Sequence, residues 1–239
     1  MFRAASRALS EALVLEARAA LREADHGRAS ALCREAVQRA HDARSPALEL
    51  GAERELGSCM LAAGQLEDAM ATFRSFLALA KANDSAKDIV TAHLKLALCY
   101  HKRSDMAGTL GALRDARRAA EELKLPELLA RAHLHLGEHF LNTSRPQYAT
   151  THLHQACELA SETNKAEADR ARALAGVAGG LELWPAVLAA LVESGPDQPD
   201  ALRRGRLLDL VAWKDRRAPF WPKDLTVSKA VLQSQSTVS

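Results

Sequence analysis

Aromatic residues are scarce in this chain: three Trp, two Tyr and five Phe among 239 positions. A β-sandwich draws its core from aromatic and β-branched residues, so this shortage argues against that class. Neither sign of charge dominates. Lys+Arg number 32 and Asp+Glu 30, a formal charge of +2, which gives no global electrostatic reason to bind nucleic acid or an anionic membrane. The four cysteines, Cys33, Cys59, Cys99 and Cys157, stand far apart and form no CxxC. They read as buried small apolar residues of a reducing compartment, not as disulfides or zinc ligands. On the sequence reading no apolar run approaches the roughly 20 residues that span a bilayer. The first twenty residues lack the continuous apolar stretch of a secretory signal. Arg3 and Arg7, with no acid before Glu11, give a faint mitochondrial presequence signature, against which stands the plainer reading of a frayed helix N-terminus.

Catalytic motifs are also missing. The chain has no GxGxxG, GxxxxGK[ST] or GxSxG, the spacings that cradle a phosphate or present a nucleophile. Glu53 and Glu55, and the pair Glu121 and Glu122, have no polar constellation around them and read as solvated helix faces. His133, His135 and His139 lie on one expected helix, and an i, i+4 histidine pair can chelate a divalent metal. Glu138 is not in an HExxH frame, however, and His93 and His133 are one repeat apart, a position better explained by packing. The expectation is therefore no enzyme, no cofactor and no metal.

What the chain has is alanine, leucine and a ruler. Apolar residues make up 48% and charged residues 26%, enough to bury a core, and the Ala/Leu bias favours closely packed helices. Leu56, Leu96 and Leu136 are 40 residues apart. Each precedes a small residue (Gly57, Ala97, Gly137), and three positions beyond that stands a bulky one (Met60, Tyr100, Phe140). Twelve beyond the small residue stands Ala69, Thr109 or Ala149, and four further on Phe73, Leu113 or Leu153. The same spacing finds Ala17, Ala20, Ala29, Cys33 and Ala36 upstream. With a 38-residue step it finds Leu174, Ala175, Ala178, Val187 and Leu191 downstream.

Within each repeat two apolar stripes of helical period flank a short polar break, so each repeat is an expected helical hairpin. The breaks fall at residues 25–27, 63–65, 103–105 and 142–146. The small residues let the two helices of a hairpin approach, and the bulky ones fill the space toward the next. A lone hairpin cannot bury its own apolar face, so the hairpins stack. Pro46 and Pro126 suit the first turn of a first helix. Ser85 three before Asp88, and Asn164 three before Glu167, are capping patterns.

The segment LGSCMLAAGQLEDAMATF, residues 56–73, closely resembles the tetratricopeptide repeat skeleton L-G-x2-Y, G, A-x3-F. LALCYHKRSDMAGTLGAL and LGEHFLNTSRPQYATTHL follow it more loosely, and the resemblance extends over about residues 10–194. The period is 40 rather than the usual 34, as in rapsyn, kinesin light chain and the G-protein-signalling modulators. Armadillo or HEAT arrays, also near 40, are the alternative. The fixed twelve-residue gap between small positions favours the tetratricopeptide reading.

That resemblance implies an all-α, right-handed TPR-like α-solenoid of about five helical hairpins, with repeats at 10–44, 45–84, 85–124, 125–163 and 164–194 after an extension at 1–9. It also implies a concave groove lined by first helices. The carboxylate clamp of the family falls here on Arg54 and Ser58, Leu94 and Leu98, Leu134 and Glu138, which is no clamp, so chaperone C-termini are not the expected ligand. The same frame places Gly51, Arg54, Ser58, Thr91, His101, Lys102, Arg131, Glu138 and Asn142 near the groove, suited to an extended peptide or helix of a protein partner. The implied function is a non-catalytic scaffold or adaptor in the cytoplasm. The alternative is a structural subunit of a large cytoskeletal, ciliary or trafficking assembly.

Beyond a turn-rich linker at 194–200 lies an amphipathic stretch, 201–214, expected to cap the last repeat or dock on a partner. Trp213, Phe220 and Trp221 gather near it as candidates for tail docking. Residues 196–239 carry eight Lys/Arg against five Asp, a mild basic bias, and 227–239 read as a disordered tail.

Overall fold

The structure, a computed structural model, describes residues 2–216, with side chains as far as residue 212. Among these residues there are ten helices and no strand. They are α1 (Phe2–Arg22), α2 (His26–Asp42), α3 (Pro46–Ala62), α4 (Leu66–Ala82), α5 (Ala86–Lys102), α6 (Met106–Glu122), α7 (Pro126–Asn142), α8 (Pro146–Ala160), α9 (Lys165–Glu193) and α10 (Asp200–Arg216). The chain divides within α7 into two compact units, Met1–Ala132 and His133–Ser239.

The helices follow one another in hairpins because one turn is used again and again. Ala24, Arg44, Gly64, Asp84, Ser104, Lys124 and Ser144 all have left-handed backbone, with φ between 48° and 77°. They are spaced 20 residues apart, half the period read from the side chains. Around each, the next residue's N–H reaches the carbonyl five residues back, as from Ser45 to Ala40 and from Leu125 to Ala120. The left-handed residue's own N–H bonds three back, as from Arg44 to His41. This Schellman pair satisfies carbonyls that the helix end would otherwise leave open. Asp25, Asp105 and Asn164 cap the following helices by accepting from the N–H of Arg28, Gly108 and Glu167. Ser85 differs from expectation: its hydroxyl donates to the Asp88 carboxylate at 2.6 Å and makes no side-chain cap. Pro46 and Pro126 open α3 and α7.

In the first unit α1 packs on α2 and α3, and α3 on α4 and α5. Leu13, Ala36 and Ala52 meet in one apolar cluster, and the buried Ser10 hydroxyl donates to the Ala36 carbonyl at 2.9 Å. Phe73, Phe76 and Met70 of α4 are fully buried. Gly57 lies under the Phe73 ring, where any β-carbon would collide. Val90, Ala116, Ala120, Leu128 and Ala132 make a second cluster shared by α5, α6 and the start of α7.

In the second unit Gly137 takes the same place against Leu153 that Gly57 takes against Phe73. His133 Nδ1 stands 2.9 Å from His152 Nδ1, and His152 stacks on Phe140 with centroids 5.5 Å apart. The histidine row thus includes core packing: His133 and His139 are buried.

The fifth hairpin is built differently from expectation. Residues 164–194, expected as a helical hairpin, instead hold one helix of 29 residues, α9, with α10 packed on it. Two further steps of 20 from Ser144 fall on Asn164, which serves as an N-cap, and on Trp184. A bulky aromatic in left-handed backbone is costly, and the glycines sit where the helix continues, with nothing within 4 Å of a β-carbon added at Gly176 or Gly180. Residues 173–192 contain only Glu182 as a charge, so α9 is long and apolar enough to cross a membrane by length and composition. This corrects the reading that no run approaches that length. A third of its most apolar window is buried against the rest of the chain, and Glu182 is itself buried and bonded to Thr150 at 3.3 Å.

Candidate functional site

The first helices of the first unit present a face of aligned residues. Stepping by 40 from Arg18 of α1 leads to Ser58 of α3 and Leu98 of α5; stepping from Leu15 leads to Glu55 and Lys95. Between α1 and α3 lies a cavity of about 260 Å³. Val14, Leu15, Leu48 and Ala52 supply its apolar wall, and Arg18, Arg54 and Glu11 its charged edge. Leu15 and Leu98 stay largely exposed on this face.

Charge is arranged around Glu55. Arg18 donates to Glu55 Oε1 at 2.7 Å, bridging α1 to α3. Arg54 reaches the same oxygen at 3.4 Å and lies 3.9 Å from Asp88 of α5. Burial pushes the Glu55 carboxyl up, but the hydrogen bond and charge of Arg18, joined by Arg54, outweigh it and hold the group below the usual carboxylate range. Lys95 is half-buried. Burial lowers its ammonium below the ordinary lysine range, Glu55 opposes that, and the like charges of Arg54 and Arg131 add to it. The face therefore holds four basic residues, Arg18, Arg54, Lys95 and Arg131, with Glu55 among them and Asp88 beside Arg54.

The expected groove residues divide accordingly. Arg54 belongs to this cluster, and Ser58 donates to the Arg54 carbonyl at 2.9 Å. Arg131 reaches the cluster through its charge on Lys95. Thr91 is turned to its own helix, bonding the Lys87 carbonyl at 2.7 Å. His101 and Lys102 are exposed in the last turn of α5, about 10 Å along the axis from Lys95 at 1.5 Å per residue. Glu138 and Asn142 lie in the second unit. There Glu138 pairs with Arg170 of α9 and with His135, its oxygen 3.0 Å from His135 Nδ1. Burial raises its carboxyl, and His135 and Arg170 more than offset this, so it sits low. Asn142 is exposed at the end of α7. The Trp213 side chain, Phe220 and Trp221 lie outside the described residues.

Sequence reasoning passed over Arg18, Glu55 and Lys95. The signal was available: Arg18 is one period before Ser58, which was chosen, and Glu55 and Lys95 are each one residue beyond positions that were inspected. The cysteines hold a second surprise. Cys33 and Cys59, 26 residues apart, bring their sulfurs to 3.5 Å in the core.

No protein-family model and no curated protein sequence matches the chain. Solved structures do. BtubC (BKLC) from P. vanneervenii superposes with a TM-score of 0.66 at 16% identity, over 91% of this chain and 84% of that one. A kinesin-light-chain-type protein of Podosopora anserina with nearly identical TPR-like repeats gives 0.59 at 15%, over 86% and 96%. Aspartyl phosphate phosphatase F from Bacillus subtilis gives 0.65 at 13%, over 95% of this chain and 59% of that one. What these proteins share with this chain is the fold, an all-α TPR-like helical-hairpin solenoid.

Proposed function

We propose that the chain is a non-catalytic interaction module whose first-helix face on α1, α3 and α5 binds an extended or helical segment of a protein partner. The observation that carries this is the apolar cavity between α1 and α3, edged by Arg18 and Arg54 with Lys95 beyond. An apolar side chain of the partner fills the cavity, and a neighbouring carboxylate meets the cations. Arg18, Arg54 and half-buried Lys95 outnumber Glu55 and Asp88, the acids beside them, which favours a partner that brings negative charge, and the apolar floor supplies the binding energy. The groove residues Arg54, Ser58, Thr91 and Arg131 belong to this face, with His101 and Lys102 at its edge. The TPR-like fold supports the reading, because stacked hairpins expose one row of side chains per first helix. Free Cys33 and Cys59 in contact suit a reducing compartment, the cytoplasm.

The test is peptide display on the immobilised chain and on an Arg54→Glu/Lys95→Glu variant. Peptides enriched by the native chain should pair an acidic residue with a large apolar one, and the variant should lose at least tenfold in affinity for them. Enrichment of no peptide, or equal binding by the variant, overturns the reading. A second reading, a fixed subunit of a cytoskeletal or trafficking assembly, draws support from the kinesin-light-chain name of one structural neighbour. Stoichiometric co-purification with one large complex would favour it.

A further inference from the structure

Five exposed apolar residues of α9 fall on one stripe. Val177, Leu181, Trp184, Leu188 and Leu191 are 54%, 52%, 57%, 48% and 48% exposed. Their spacing alternates four and three, the period of a helix seam that packs on another helix. They span 14 residues, about 21 Å of helix axis. The opposite stripe of α9, with Ala171, Ala175, Ala178, Glu182, Leu183 and Ala190, is the buried one. α10 packs on α9 yet leaves the seam open.

Three properties of the seam select its occupant. First, it bears no charge. From residue 173 to 192 the only ionisable group is Glu182, which is turned inward to Thr150. A surface built for a charged or strongly polar partner would carry complementary groups, and a surface that repelled its own copy would carry like ones; this one has neither. Second, its ends are symmetric about Trp184: Val177 stands seven residues before it and Leu191 seven after. Two antiparallel copies related by a two-fold axis at Trp184 bring Val177 opposite Leu191, Leu181 opposite Val187 and Leu188 opposite Gly180. That is the self-complementarity an isologous interface needs. Third, its size fits. The half-exposed side chains, with Val192 beside them at 62%, amount to roughly 500 Å² on each copy. That is at the upper end of what a monomer exposes, and doubled it reaches about the 1,000 Å² at which specific interfaces begin. Gly180 lies beside the seam with open space before its missing β-carbon, so a second helix can approach closely there.

We infer that the α9 seam joins two copies of this chain in an antiparallel helix pair centred on Trp184. The inference is independent of the peptide face on α1, α3 and α5.

The test uses the full chain in sedimentation equilibrium from about 1 to 100 µM. The expected result is a reversible shift toward twice the chain mass of 25.9 kDa. Leu181→Glu/Leu188→Glu places like charges opposite apolar residues across the axis, and it should weaken association at least tenfold with helical circular dichroism unchanged. Cross-linking serves as the second measurement. In a Cys157→Ser background, Trp184→Cys should form an intermolecular disulfide with mild oxidant, and Leu15→Cys on exposed α1 should not. A native chain that stays monomeric at 100 µM overturns the inference. Flotation of that monomer on anionic vesicles would then assign the seam to lipid. A dimer that survives Leu181→Glu/Leu188→Glu also overturns it, since association would then use another face.

Discussion

A β-carbon on Gly57 would lie 2.6 Å from Cε1 of Phe73. That clearance sets how close α3 and α4 run. Phe73 is fully buried and has no room to retreat. Gly57→Ala should therefore cost about 1–3 kcal/mol by overpacking. Gly51, one and a half turns earlier on the same helix, has nothing within 4 Å, so Gly51→Ala should gain up to about 1 kcal/mol from helix propensity. Urea unfolding of both variants measures the contrast. Adding Phe73→Leu to Gly57→Ala should recover part of the loss, because the two residues are in contact and their effects are coupled.

The left-handed turns make a second prediction. Six of the seven carry a side chain where glycine is conformationally cheapest, and only Gly64 is glycine. A non-glycine residue there costs about 1–2 kcal/mol. Glycine gives back about 0.4–1 kcal/mol of that through the freedom it adds to the unfolded chain. Ala24→Gly and Lys124→Gly should each stabilise by up to about 1 kcal/mol, and Gly64→Ala should destabilise by a similar amount. Thermal melts of the three single variants decide it.

These two relationships show why much of the fold was legible and where legibility ended. Gly57, Gly137, Leu153 and Phe73 are side-chain rules, and a 40-residue ruler finds them because packing repeats them. The 20-residue turn is a backbone rule. Alanine, arginine, lysine, aspartate and serine all occupy it, so residue identity hides it. The hairpin expected over 164–194 fails for the same reason: the backbone needs a left-handed residue at a place filled by Trp184. At the candidate site, Arg54 was found by frame. Arg18 and Lys95 are hidden because they act through Glu55: the frame runs Arg18, Ser58, Leu98 and Leu15, Glu55, Lys95, so no charge repeats for a ruler to find.

Glu53 and Glu55, two residues apart on α3, are shifted in opposite directions. Burial, with Glu49 nearby, raises the Glu53 carboxyl, whereas Arg18 and Arg54 overcome burial and lower that of Glu55. An unfolded glutamate titrates near 4.3. Glu55 therefore contributes stability above about pH 4.3 that is lost as pH falls through its lower folded value. For Glu53 the sign reverses: its contribution is favourable below about pH 4.3 and is lost as pH rises through its higher folded value. Glu53→Gln should raise the melting temperature at pH 7 with the difference vanishing in acid. Glu55→Gln should lower it at pH 7, also with a shrinking difference in acid. Melting curves from pH 3 to 7 test both signs, and parallel offsets at all pH values would contradict them.

Lys95 links stability to recognition. Burial first, then Arg54 and Arg131, lowers its ammonium below the usual lysine range, so holding the charge in the fold carries a cost. Lys95→Met removes that cost while keeping the side-chain length, and the melting temperature should hold or rise. The same change deletes the cation that meets a partner carboxylate, and affinity for an acidic-apolar peptide should fall about tenfold, the loss of one charge-assisted contact. Stability and binding thus move in opposite directions, which a merely structural lysine would not produce. A bound carboxylate favours the charged form and moves Lys95 back toward the ordinary lysine range, so in the alkaline range where Lys95 of the free chain begins to lose its proton, binding takes protons up. Calorimetric titrations in two buffers of different ionisation enthalpy would register that uptake for the native chain, and Lys95→Met should abolish it. Equal proton uptake by the variant would remove Lys95 from the binding face.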